Sequence, residues 1–258
     1  MAVMDPKDST AWLEHFQRNR AQRPEPNWER PTPFPPQVTA PLARSLAHFQ
    51  LGESGDGGTL LVEARRTWPD DPDYLAALAL FVAEEQEHAR LLERQVLRFG
   101  GTLVTGHWSH RWFRRVRRAL GVRFEIQTLV VAEIIGTAYY RLLRSTGDTV
   151  LRQMCEIMLR DEAPHLRFHV DRVVVEQLGW PGWRRALWTS QFRGLFKAAV
   201  TAASVDHRRA LRAVGIDRRL FTGEAGDEVS AWLLRRAAAS PAGRRGRSRR
   251  PQPWPPRC

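Results

Sequence analysis

Four stretches of this sequence repeat apolar residues every three or four positions, and each interrupts its apolar stripe with a carboxylate near the middle. That period belongs to an amphipathic helix, so each stripe marks the face that a helix turns toward a core. The first stretch, about 38–66, aligns Leu42, Leu46, Phe49, Glu53, Leu60 and Ala64. The second, about 73–99, aligns Leu78, Phe81, Val82, Glu85, His88, Leu92, Val96 and Phe99. The third, about 118–145, aligns Ile126, Leu129, Glu133, Gly136, Tyr140 and Leu143, and the fourth, about 148–178, aligns Leu151, Cys155, Met158, Glu162, His165 and His169. An all-α fold follows, with a problem built into it: a buried, unpaired carboxylate either costs several kcal/mol or shifts its pKa until it is neutral.

The breaks between stretches set the topology. Pro69-Asp70-Asp71-Pro72-Asp73 separates the first two, with Asp71 or Asp73 as N-cap, Gly100-Gly101 ends the second, and Ser145-Thr146-Gly147-Asp148 separates the last two. Short breaks predict two antiparallel hairpins. The stretch between the hairpins, Gly100 to Arg117, reaches about 60 Å when extended, enough to cross a bundle about 40 Å long. The expected architecture is a four-helix bundle of two hairpins joined by one long crossover.

Within the bundle, Glu85-Gln86-Glu87-His88 and Glu162-Ala163-Pro164-His165 are both Glu-x-x-His motifs. Three residues are nearly one helical turn, so each glutamate and imidazole project side by side. Glu53 and Glu133 supply one carboxylate from each of the other two helices. Measured from the turns, Glu53 lies 17 residues before Asp70 and Glu85 15 after it, while Glu133 lies 14 before Gly147 and Glu162 15 after it. All four carboxylates therefore fall within about one turn of the same level, roughly 5 Å. Four glutamates and two histidines facing a bundle interior form a ligand set for two metal ions. The acids just before each motif, Glu84 and Asp161, are placed to accept the second ring N–H of the opposite histidine, Asp161 from His88 and Glu84 from His165.

Glu84-Glu85-Gln86-Glu87-His88 and Asp161-Glu162-Ala163-Pro164-His165 resemble the paired E/DExxH motifs of the ferritin-like di-iron carboxylate superfamily, which includes rubrerythrins, the ribonucleotide reductase small subunit, acyl-carrier-protein desaturases and bacterial multicomponent monooxygenases. The resemblance covers residues 40–179. It implies two iron ions, or iron with manganese, held by Glu53, Glu85, His88, Glu133, Glu162 and His165, and chemistry on dioxygen or peroxide. It selects no substrate. Pro164 departs from the pattern and predicts a kink or a local widening of the fourth helix, while Gly52, Gly55, Gly57 and Gly58 weaken the first helix around Glu53.

The rest of the chain frames this core. Residues 1–37 are proline-rich and read as an extended arm anchored by Trp12, Phe16 and Trp28; 38–179 form the bundle; 180–239 supply accessory helices, one carrying Trp188, Phe192 and Phe196 and another near 227–239; 240–258 read as a disordered Arg/Pro-rich tail. The formal charge of +12 lies largely in that end, where residues 235–258 hold eight arginines and no acid. Two distant cysteines exclude a disulfide scaffold or a rubredoxin-type site, and no stretch approaches the roughly 20 apolar residues of a membrane span. A cytoplasmic location is expected. No flavin or nicotinamide fingerprint occurs, so electrons are expected from an external donor or the substrate, and a homodimer is compatible with such a bundle. Three readings stand beside one another: an oxidoreductase of dioxygen or peroxide, an iron-binding ferroxidase or stress-related protein, and a nucleic-acid binder using its arginine tail. Among single residues, Glu125 reads as a solvated end residue, His169 and Tyr140 as satisfied core residues, and Cys155 as core packing.

Overall fold

Aspartates and prolines stop the helices where the sequence places them. The computed structural model describes residues 8–105 and 121–239, and among these residues it is all-α, with nine helices: α1 (Ser9–Ala21), α2 (Pro36–Glu53), α3 (Gly58–Thr67), α4 (Pro72–Arg98), α5 (Val122–Leu143), α6 (Thr149–Glu176), α7 (Gly182–Asp206), α8 (Arg208–Ala213) and α9 (Arg218–Ala239). Asp71 caps α4 by accepting the Tyr74 N–H at 3.1 Å, and Asp148 caps α6 by accepting that of Leu151 at 2.9 Å. Each cap satisfies one of the orphan donors at a helix start.

The caps also lock the helices end to end. Arg98 at the end of α4 grips Asp148 at the start of α6 at 3.0 and 3.1 Å, and Arg172 near the end of α6 reaches Asp71 at the start of α4 at 3.0 Å. α4 and α6 therefore run antiparallel. α2 packs on α4, α5 on α6 and α4 on α6, which gives the four-helix arrangement. The middle of the crossover lies outside the described residues, with Trp108, Trp112 and the arginines 111, 114, 115, 117 and 118; so does the tail 240–258.

Periodicity predicts one helix over 38–66, whereas the chain divides there into α2 and α3. The turn between them passes through Gly57 at φ +64°, and a Cβ at that position would meet both Val82 methyls at 2.7 Å. Backbone hand and close approach both require glycine here. The break falls just after Glu53, so the glycines end the helix at its carboxylate.

The N-terminal region also differs from its reading as an extended arm. Residues 9–21 form α1, capped by Asp8 through the Ala11 N–H, and the stretch from 22 to 35 is extended or turning. α1 packs on α4 and buries Trp12 and Phe16. Its two aromatics sit four residues apart on a helical face, a signal hidden by the prolines that follow. Trp28 lies beneath Arg94, 4.7 Å from ring centroid to guanidinium carbon.

Pro164 lies within a continuous α6, on a half-buried side of the helix where a carbonyl left without its donor can be hydrated. Beyond the bundle, α7 and α9 pack on α5, with the rings of Trp188, Phe192 and Trp232 stacked. α9 starts nearer the N-terminus than the expected helix at 227–239. No described helix is long and apolar enough to cross a membrane.

Candidate metal centre

The Glu-x-x-His pairs of α4 and α6 face each other inside the bundle, with Glu133 of α5 beside them. His165 Nδ1 lies 3.1 Å from Glu85 Oε1, 3.5 Å from Glu133 Oε2 and 3.9 Å from Glu162 Oε2. His88 Nδ1 lies 3.6 Å from Glu85 Oε1 and 3.7 Å from Glu162 Oε1. Two groups of donor atoms each gather within 4.8 Å, one from Glu85, His88 and His165, the other from Glu133, Glu162 and His165.

Glu53 belongs to neither group, but its carboxyl adjoins that of Glu85 closely enough to shift its pKa. Its neighbours Asp56 and Glu63 are engaged elsewhere. Asp56 accepts the Gly58 N–H at 3.0 Å, and Glu63 pairs with Arg66 at 2.7 Å. Glu53 is partly exposed and the Glu85 side chain is 13 % exposed, while both histidines are fully buried. The cluster is thus most deeply buried at the histidines and least buried toward the α2–α3 turn.

Glu85 Oε1, His88 Nδ1, Glu133 Oε2, Glu162 Oε2 and His165 Nδ1 are all buried without a well-formed hydrogen bond. Buried polar atoms are rarely left unsatisfied, and five converging on one place need a common partner. Such a set could hold a metal ion, and carboxylate and imidazole together suit iron, manganese or zinc.

The outer nitrogens of the two rings are occupied. His165 Nε2 stands 2.9 Å from Glu84 Oε2, and His88 Nε2 stands 3.3 Å from Asp161 Oδ2. Both acid–histidine contacts join opposite helices, as register predicts. An Nε2–H donated to a carboxylate leaves the Nδ1 lone pair directed into the cluster.

Crowding distorts the acidities. Burial, then the neighbouring Glu85 charge, pushes the Glu53 carboxyl well above its ordinary value, and burial with Glu133 does the same to Glu162. Burial also works against a charged Glu85, but the adjoining His165 and Glu53 groups hold it at about 2. At His165 burial disfavours the cation, and Glu133, Glu84 and Glu85 outweigh it and raise the pKa. Six carboxylates (Glu53, Glu84, Glu85, Glu133, Asp161 and Glu162) meet two guanidiniums here, those of Arg23 and Arg160. With every carboxyl ionised, four negative charges would be left over among the described residues, as many as two divalent cations balance.

The contribution of α1 is invisible in the periodicity. Asn19 and Arg23 lie against Glu84 and Asp161, at 2.6 and 3.0 Å for Asn19 and at 2.9 and 3.0 Å for Arg23. Phe16 places its ring 6.0 Å from that of His165. Sequence reasoning has no handle on contacts that span up to 142 positions without a shared helix face.

Three further readings of single residues change. Glu125 is buried rather than solvated, because α5 enters the core in its first turn. Neither ring nitrogen of His169 has a hydrogen-bond partner, nor does the Tyr140 hydroxyl; both side chains are fully buried. Aromatic packing supplies the surroundings of His169, with Phe81 at 4.8 Å and Phe168 at 5.4 Å, and burial lowers its pKa to about 4. Cys155 is buried and free.

No known family model matches the chain, no curated protein matches it, and no solved structure matches it.

Proposed function

We propose that this chain is a non-haem di-metal carboxylate oxidoreductase, holding two iron ions or an iron–manganese pair and acting on dioxygen or peroxide. The observation that carries the reading is the convergence of five buried, unsatisfied donor atoms from three helices. The all-α bundle is compatible with the ferritin-like architecture that the paired motifs resemble.

The ligand roles fall to Glu53, Glu85, His88, Glu133, Glu162 and His165, with Glu84 and Asp161 behind the histidines. When bound, the metal pair supplies redox and Lewis-acid chemistry toward the oxidant. The chain's own residues prepare the site. Glu84 and Asp161 fix the tautomer and orientation of the two imidazoles. Phe16 and Phe81, with ring centroids 6.0 and 4.8 Å from that of His165, exclude water from the more deeply buried side. Glu53 and Glu85 are the least buried of the six, so oxidant and substrate approach past the α2–α3 turn. Electrons come from a separate donor or from the substrate.

The test is anaerobic loading of metal-free protein with ferrous iron, followed by oxygen. Support is oxygen uptake in fixed ratio to protein, faster than that of free ferrous iron, and absent from a Glu85→Ala, Glu162→Ala variant. Uptake no faster than that of free iron contradicts the reading. Accumulation of iron far beyond two ions per chain points instead to iron oxidation for storage.

A further inference from the structure

We infer that α1 and the residues just after it are a working part of the metal centre: Asn19 and Arg23 are positioning residues that hold Glu84 and Asp161 against the two histidines, so the N-terminal segment sets how tightly and in what geometry metal binds. The inference rests on the metal-binding reading above and deepens it.

Glu84 on α4 and Asp161 on α6 come from different helices, and both are almost wholly buried, at 2 % and 1 % exposure. Two like charges at such sites repel, and each must also present one oxygen to an imidazole. The Asn19 side-chain amide joins them, donating from one nitrogen to Glu84 Oε1 at 2.6 Å and to Asp161 Oδ1 at 3.0 Å. Arg23 does the same with charge, its two terminal nitrogens reaching Glu84 Oε1 at 2.9 Å and Asp161 Oδ2 at 3.0 Å. On Glu84 this leaves Oε2 for His165 at 2.9 Å. A guanidinium fork suits such a pair because its donors are fixed in one plane.

The two acids do not depend on α1 equally. Asp161 has a second arginine, Arg160, at 2.8 Å, whereas among the described residues the arginine on Glu84 is Arg23. The histidine served by Glu84 is His165, whose Nδ1 belongs to both donor groups. Loss of the α1 contacts therefore acts first on the nitrogen that the two groups share.

α1 has anchors independent of these contacts. Trp12 Nε1 donates to Asp171 at 3.0 Å, Ser9 Oγ to Asp71 at 3.1 Å, and Phe16 is fully buried. Just beyond the helix, Glu25 holds Arg90 and Arg94. Substitutions at Asn19 and Arg23 can thus remove the polar contacts while the helix stays docked.

The test uses full-length, metal-stripped protein and Co(II) as probe, with affinity from competition against a chromophoric chelator and geometry from the visible Co(II) spectrum. Arg23→Met and Asn19→Leu should each weaken binding about tenfold, and together up to about 100-fold, the range for partners that orient ligand histidines. The spectrum should change, and Arg23→Lys should recover part of the loss. Ser9→Ala, which loosens an anchor distant from the acids, should leave affinity and spectrum unchanged. Circular dichroism confirms that each variant is folded. Wild-type affinity and spectrum in folded Arg23→Met and Asn19→Leu overturn this inference alone. A wild-type chain that binds no cobalt overturns the metal-binding reading as well.

Discussion

Oε2 of Glu84 lies 2.9 Å from Nε2 of His165, and the other nitrogen of that ring lies 3.1 Å from Oε1 of Glu85. One imidazole thus links two adjacent acids of α4 that do different work. Glu84 accepts the hydrogen bond of the ring Nε2–H and Glu85 faces the donor cluster. Replacing Glu84 by alanine frees the ring to rotate and to change tautomer, and metal affinity should fall about 10- to 100-fold. Chelator competition measures it, and an unchanged affinity would detach Glu84 from the site.

Glu162 should show opposite effects in two states. Burial and Glu133 raise its pKa well above the ordinary carboxylate value, so in metal-free protein its charge is a liability. Glu162→Gln keeps the shape and removes the charge. The metal-free variant should melt no lower than metal-free wild type. The gain in melting temperature that metal gives the wild type, as binding to the folded state requires, should largely disappear. Scanning calorimetry with and without metal reads both arms.

Tyr140 offers a cleaner test of an unsatisfied group. Its hydroxyl is buried without a hydrogen bond, and burial followed by the Glu53 and Glu162 charges raises its pKa. Removing a buried polar atom that has no partner relieves a desolvation cost. Tyr140→Phe should therefore raise stability by about 1 kcal/mol in urea unfolding. A loss of that size would mean that the hydroxyl is engaged.

Glu25 gives a pH signature for the segment that follows α1. Hydrogen bonds from Arg90 lead in lowering its carboxyl from 4.5 to about 2. A carboxylate with a depressed folded pKa stabilises fully above its unfolded value and loses that contribution as the pH falls through the folded value. Wild type should melt above Glu25→Gln at all pH values over 4.5, and the gap should close between 4.5 and 2. A gap independent of pH would assign the effect to packing.

Helices α4, α5 and α6, the Asp71 cap and the level shared by Glu85, Glu133 and Glu162 were legible because they are local or periodic. Glu85 with His88, and Glu162 with His165, need only the helical repeat, and counting from Asp70 and Gly147 brings them together. The α2–α3 break was only half legible. Four glycines near Glu53 announce a weak helix, but a positive φ at Gly57 pressed against Val82 depends on a helix that arrives later in the chain. Asn19 and Arg23 were not legible at all. Their partners come from two other helices, and the prolines after them suggested an arm without helical structure. Burial of Glu125 and the unsatisfied His169 are likewise set by how neighbouring helices close over them.

Metal content per chain tests the central claim most directly. Protein expressed with ample iron and manganese, and reconstituted after stripping, should hold about two metal ions per chain, and a folded Glu85→Ala, Glu162→Ala variant should hold almost none. Wild-type protein that remains folded and retains no iron or manganese after reconstitution would contradict the account, and the converging carboxylates and imidazoles would then be a polar core.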